Sequence, residues 1–318
     1  MGWRGWIGAA LLVLSTSRAG AADKVEASFI GALSAPSWPY LIAQDKGYFA
    51  EAEIQFDISF APNAPGVMQQ LAAGSVDMAS TGAAEPILAF GQGAPVAVLR
   101  VMGQSAPYEL IGKKDIAGLR GLKGKTVIIG GRTDITGIYW SRMAAAAGLG
   151  KSDYDLIFGG STGARFAALK AGSADAAMLN PPINFHAKEQ GYVVLASALD
   201  YARDLIFGAL SVNRGWAAAH ADTIKRLDAA LTRATLWFED PANHDEAIKI
   251  MVAATHSTAP DAEASYDFFR RTAFFETTGT VSLSRLQNLI DAQKKLGDVP
   301  QTLTAAQVIM PGITETGP

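Results

Sequence analysis

The stretch Leu71–Ser80 reads LAAGSVDMAS, and Leu169–Met178 reads LKAGSADAAM. Six positions coincide at a constant offset: Leu71 with Leu169, Ala73 with Ala171, Gly74 with Gly172, Ser75 with Ser173, Asp77 with Asp175 and Ala79 with Ala177. Each copy closes a helical pattern and precedes a short apolar run. Glycine there supplies the positive φ that stops a helix, and Ser and Asp can bond the backbone of the turn that follows. Helix–Gly–strand junctions in general account for the Gly and the Asp. Six matches, with matching neighbours on both sides, predict one structural unit used twice.

The surroundings of each copy support this. Before and around the first come VEASFIGAL (strand), PSWPYLIAQDKGYFAEA (helix ending near Gly47), IQFDISFAP (strand), APGVMQQLAAG (helix), VDMAST (strand), AAEPILAFGQG (helix) and PVAVLRVM (strand). The pattern restarts with GKTVIIGG, GIYWSRMAAAAGLG, YDLIFGG, GARFAALKAG, ADAAMLN, PINFHAKEQG and YVVLASA. Alternating β and α elements predict an α/β fold with mostly parallel sheets flanked by helices. From about Trp216 the chain reads as almost entirely helical.

Composition narrows the function. The chain has 318 residues, 49% hydrophobic and 18% charged, with net charge −3. This suits a globular protein with ample core. Without a basic block it gives no footing for nucleic acid. The N-terminus has Arg4, an apolar run from Trp6 to Leu14, and small residues up to Ala22, the layout of a signal peptide over residues 1–22, cleaved near Ala21 or Ala22. There is no cysteine, which removes disulfides, thiol catalysis, Cys-ligated zinc and a lipidated cysteine. The expected location is periplasmic.

The loops beyond the strand ends are SAPSW, APNAPG, STGAAE, GGRTDITG, GGSTGA and NPPIN. They are rich in Gly, Pro, Ser, Thr and Asn. In open α/β sheets such loops form the ligand site, and helix N-termini suit anions.

The order KGYF, L.AGS.D, GLKGKTV, AAGL and AL.AGSADAA…PP, followed by a helical tail, resembles periplasmic substrate-binding proteins of ABC importers. The similar group is the sulfonate, taurine, nitrate and thiamine-precursor pyrimidine binders, and the likeness runs from about Ala27 to Ala254. It implies a two-lobed type II periplasmic binding protein fold. Lobe one would hold 23–106 and 206–318, with the helical tail, and lobe two 107–205. The crossings would run through APYEL and RDLIFGALSVN. It also implies a monomer that delivers a small molecule to an inner-membrane ABC permease with its cytoplasmic ATPase, with no cofactor and no metal.

The positions carried over are Ser37 and Trp38, Asn63, Thr81, Gly82 and Glu85 in lobe one. In lobe two they are Arg132, Thr133, Asp134, Thr136, Gly137, Ser161, Thr162, Asn180 and Pro181. Trp38 would be a stacking wall or a core residue. Arg132 would clamp a carboxylate or sulfonate with two parallel bonds, or pair with Asp134 at the surface. Arg165, one turn into its helix, is expected to face solvent. Glu85 would receive a ligand N–H or cap its own helix. The expected ligand is a small organic anion, a sulfonate or carboxylate. The alternative is a neutral pyrimidine-like heterocycle held by Glu85 and Asn63.

Enzyme readings are weaker. GGSTG (Gly159–Gly163) matches G-x-S-x-G between a strand and a helix, so a secreted serine hydrolase using Ser161 is a further alternative. Its partners would be Asp175 or Asp200, then His220, His244 or His256. No HGGG-type segment accompanies it. GLKGKT lacks the first glycine of a P-loop and precedes its strand. The four histidines show no metal-site spacing.

Overall fold

The computed structural model describes residues 22–317. The signal-peptide reading therefore lies outside the described residues, apart from Ala22. The chain opens with β1 (Asp23–Ile30), α1 (Trp38–Asp45), α2 (Tyr48–Glu51), β2 (Ile54–Ala61), α3 (Ala64–Ala73), β3 (Met78–Gly82), α4 (Ala84–Gly91) and β4 (Val96–Gly103). It continues through β5 (Glu109–Gly112), β6 (Thr126–Ile129), α5 (Ile135–Ala147), β7 (Asp155–Phe158), α6 (Thr162–Lys170), β8 (Ala176–Leu179), α7 (Ile183–Glu189) and β9 (Val193–Ser197). After β10 (Gly208–Asn213) come α8 (Arg214–Ala219), α9 (Ala221–Glu239), α10 (His244–Thr255), α11 (Ala259–Arg271), β11 (Val281–Ser282), α12 (Leu283–Leu296), α13 (Ala305–Val308) and β12 (Thr316–Gly317).

Two five-stranded sheets result, ordered β2-β1-β3-β10-β4 and β7-β6-β8-β5-β9. Each centres a lobe, and the two follow one plan. In each sheet the first two pairings are parallel, while the fourth strand runs against both its neighbours: β10 in the first sheet and β5 in the second. The antiparallel strand is in each case the one arriving from the other lobe. The sequence reading placed both crossings but not the strands they become. These segments are short and buried along nearly their whole length, so they lack the alternation that marks a half-buried strand.

The repeated phrase performs the same task in both lobes. Gly74 (φ 72°) stops α3, and Gly172 (φ 76°) follows α6. The Asp77 N–H donates to the Glu26 carbonyl at 2.9 Å, and its carboxylate accepts the Glu26 N–H at 2.9 Å. The Asp175 N–H donates to the Thr126 carbonyl at 2.8 Å, and its carboxylate accepts the Thr126 N–H at 3.0 Å. Each Asp thus fastens the incoming central strand, β3 or β8, to its neighbour β1 or β6 one residue before pairing begins at Ala27–Met78 and Val127–Ala176. Leu71 and Leu169 lie in the core below.

The helical tail covers the first lobe, with α9 and α10 lying against α1. Trp38 is central to that contact. It is fully buried, packs beside Phe238, Tyr266 and Phe269, and donates its Nε1–H to the Ala247 carbonyl at 2.8 Å. Among the described residues, no helix is long and apolar enough to cross a membrane.

Candidate functional site: the cavity between the lobes

The lobes close on each other. A Cβ built on Gly31 would lie 3.2 Å from the Ser161 Cβ, and one on Gly160 would lie 3.3 Å from the Pro62 carbonyl. These are loops at the ends of β1, β2 and β7. Behind them is a cavity of about 460 Å³, within the range of small-molecule sites. Its floor is apolar: Phe29, Met102, Tyr108, Phe207 and Phe274. Tyr108 and Phe207 belong to the two crossings and meet edge to face, 5.7 Å between centroids.

Ten of the expected positions line this cavity: Ser37, Thr81, Gly82, Glu85, Asp134, Thr136, Ser161, Thr162, Asn180 and Pro181. Five do not. Trp38 points the other way, into the contact with the tail, so it is a core residue and no stacking wall. Asn63 caps α3, accepting the Gly66 N–H at 3.0 Å, and abuts Gly160 on the rim. Gly137 sits under its own loop, where a Cβ would come 2.2 Å from the Arg132 carbonyl. Thr133 is part-exposed outside the cavity. Arg132 is 69% exposed and faces Asp298, not Asp134, at 3.4 Å. The anion clamp expected there is absent from the cavity because the tight 131–134 loop turns its side chain outward.

The cavity's arginine is Arg165, which the sequence placed in solvent. It is 2% exposed. Its Nε donates to the Met178 carbonyl at 2.6 Å, Nη1 to the Gly160 carbonyl and Nη2 to Thr162 Oγ1 at 2.8 Å. Thr162 in turn donates to Asn180 Oδ1. The guanidinium also lies 5.7 Å from the Tyr108 ring centroid. Only the glycines beside it leave room: a Cβ on Gly159 would meet the Arg165 side chain at 2.9 Å. Arg165 thus braces the wall of lobe two with most of its donors committed.

Two acids face it. Asp134 caps α5, accepting the N–H groups of Thr136 (2.9 Å) and Gly137 (3.1 Å) and the Thr136 hydroxyl at 2.6 Å. Burial raises its pKa, against the pull of these bonds and of Arg165. Glu85, at the start of α4, is 6% exposed, and its Oε2 has no hydrogen-bond partner in the protein. Burial, and then the charge of Asp134, push it up to about 8, against bonds from the amides of Glu85 itself and Ile135. Near neutral pH burial and the neighbouring Asp134 thus favour the protonated form of Glu85.

The hydrolase alternative finds no assembled triad here. The Ser161 hydroxyl caps α6, accepting the Ala164 N–H at 3.3 Å. Asp175 is held by Lys113 at 2.7 Å, His220 bonds the Trp216 carbonyl, and His244 lies between Asp245 and Glu263.

A family model described as NMT1/THI5 like matches residues 35–244. The chain belongs to the NMT1/THI5-like family. No curated protein matches this family member. Among solved structures, it is similar to the alkanesulfonate-binding protein SsuA from Xanthomonas axonopodis pv. citri bound to MOPS, with 16% identity, 92% of this chain and 99% of that chain covered, and a TM-score of 0.77. It is similar to the periplasmic aliphatic sulphonate-binding protein SsuA from Escherichia coli, with 19% identity, 93% and 94% coverage and a TM-score of 0.74. It is also similar to the desulfurization enzyme DSZB, with 15% identity, 92% and 97% coverage and a TM-score of 0.69. At these identities the likeness establishes the fold, the two-lobed periplasmic binding protein architecture, and the presence of an enzyme among binding proteins leaves function to be argued from the site.

Proposed function

We propose that this NMT1/THI5-like protein is the periplasmic solute-binding component of an ABC importer. A solute enters between open lobes, touches both, and so binds the closed arrangement better, shifting the equilibrium toward it. A membrane permease with its ATPase would receive the loaded, monomeric protein. The observation that carries this reading is the inter-lobe cavity, whose floor includes Tyr108 and Phe207 of the two crossings and whose walls carry groups from both lobes.

The best-fitting solute is neutral and flat, with an apolar body and an N–H edge. The body would lie against Phe29, Tyr108, Phe207 and Phe274. That edge would meet the unpartnered Oε2 of Glu85, which donates to a ring nitrogen while protonated and accepts the N–H once ionised. A nitrogen heterocycle of pyrimidine type has this form. A second reading, a small sulfonate or carboxylate, has one observation in its favour: Thr162 and Gly163 at the α6 N-terminus line the cavity beside Arg165. A net anion, however, would enter beside two carboxyl groups while Arg165 is already committed to three acceptors.

A thermal-shift screen of the mature chain against nitrogen heterocycles, sulfonates, carboxylates and nitrate tests both. A solute at a hundred times its Kd stabilises the fold by about 2.7 kcal/mol. Stabilisation by heterocycles supports the first reading, and stabilisation by anions alone supports the second. Turnover of an ester would overturn the binding-protein reading.

A further inference from the structure

The crossings that carry the cavity floor are both held by α12 of the tail, and the first is held as well by the Thr272, Ala273 and Phe274 carbonyls, which accept from Ser105 and Gln104. Arg285, in the first turn of α12, donates through Nη2 to the Gln104 carbonyl on the first crossing. The same nitrogen donates to the Leu205 carbonyl at 2.6 Å and lies 3.3 Å from the Arg203 carbonyl, both on the second crossing. One turn on, Asn288 donates to the Asp204 carbonyl at 3.2 Å. The crossings are tied directly to each other only sparsely: the Phe207 N–H reaches the Gly103 carbonyl at 3.2 Å and the Ala198 N–H reaches the Tyr108 carbonyl at 2.8 Å, one on either side of the Arg285 level.

We propose that Arg285 is a positioning residue that couples the two crossings, making them bend as one hinge. A guanidinium is suited to this, being planar, permanently charged and able to serve several carbonyls at once. With Gln104 and Ser105 held to the tail and Leu205 pinned to α12, bending falls to residues 106–108 and 201–204, next to lobe two. Lobe two holds that side of the hinge through Arg142, which pairs with the Asp204 carboxylate and donates to the Tyr201 carbonyl at 2.9 Å. Tyr108 and Phe207, which a solute would touch, thus sit between the bound solute and Arg285. The inference rests on the reading that the lobes move, and not on which solute is bound.

The chain has no cysteine, so Gln55→Cys in lobe one and Ser152→Cys in lobe two, both exposed, give a unique spin-labelled pair. Inter-lobe distances are measured by pulsed electron paramagnetic resonance on the mature chain without solute, with circular dichroism as a fold control. In the parent, discrete narrow distances are expected. In Arg285→Met the weight in those distances drops about tenfold in favour of a broad distribution, and Arg285→Lys, which keeps the charge but serves fewer carbonyls, falls between. A distribution in Arg285→Met that superimposes on the parent overturns the proposal. If that variant does not fold, an unchanged distribution in Arg285→Lys does so. Failure of every solute to bind would instead sink the solute-binding reading and leave these solute-free distances to stand on their own.

Discussion

Gly82 and Ile135 meet across the cleft so closely that a methyl on Gly82 would lie 2.9 Å from Ile135 Cγ2 and 2.6 Å from Glu85 Oε2. Gly82 is not in the left-handed region, so its backbone accepts alanine. The strain of Gly82→Ala therefore falls on the approach of the lobes. Overpacking of this kind costs about 1–3 kcal/mol. The expected result is a larger radius of gyration in small-angle X-ray scattering and weaker solute binding, with the secondary structure intact.

Glu85 makes stability depend on pH in an unusual direction. Below its ordinary value of 4.5 the group is protonated in both folded and unfolded states. Above that, the unfolded chain releases the proton, while the fold keeps it until about 8. The fold binds more protons across this window, so stability falls as pH rises through it. Glu85→Gln removes the effect. At pH 8.5 this variant is expected to be more stable than the parent by about 1–3 kcal/mol, and the gap should close toward pH 5. Denaturant titrations at the two pH values measure it.

The two arginines should separate cleanly. Arg132→Ala takes an exposed arginine from a buried carboxylate, Asp298, and is expected to destabilise by about 1 kcal/mol and leave solute affinity unchanged. Arg165→Ala leaves the Met178 and Gly160 carbonyls and the Thr162 hydroxyl without their donor inside the fold. It is expected to destabilise by about 3–5 kcal/mol. Urea unfolding of both variants checks this, and a large loss at Arg132 with none at Arg165 would reverse the assignment.

Trp38 gives a third contrast. Truncation to alanine opens a cavity among Phe238, Tyr266 and Phe269 and removes the indole donor from the Ala247 carbonyl. The expected cost is about 3–5 kcal/mol, while solute affinity measured well below the melting temperature stays unchanged.

The alternation of elements and the doubled AGS.D phrase carried most of the fold in the sequence, because Gly74, Gly172, Asp77 and Asp175 each act within their own junction. Residues whose direction is set locally were also legible: Ser161 and Asn180 follow strand ends, Thr81 lies at the end of β3, and all three line the cavity. What escaped was set by packing at a distance. Arg165 turns inward because Gly130 and Gly159 leave space and Met178 offers a carbonyl, none of which its helix position reveals. Trp38 turns to the tail because α10 supplies a carbonyl more than two hundred residues later. The floor residues Phe207 and Phe274 lie in segments with no loop signature, brought under the cavity by the return of the chain through β10.

The central claim is that the inter-lobe cavity binds a solute through Glu85. Calorimetric titration of the mature chain with a heterocycle from the screen, beside the Glu85→Leu variant, tests it most directly. The account predicts saturable binding to the parent and a loss of tenfold or more in the variant, about 1.4 kcal/mol or greater. Equal affinity in both proteins would contradict it.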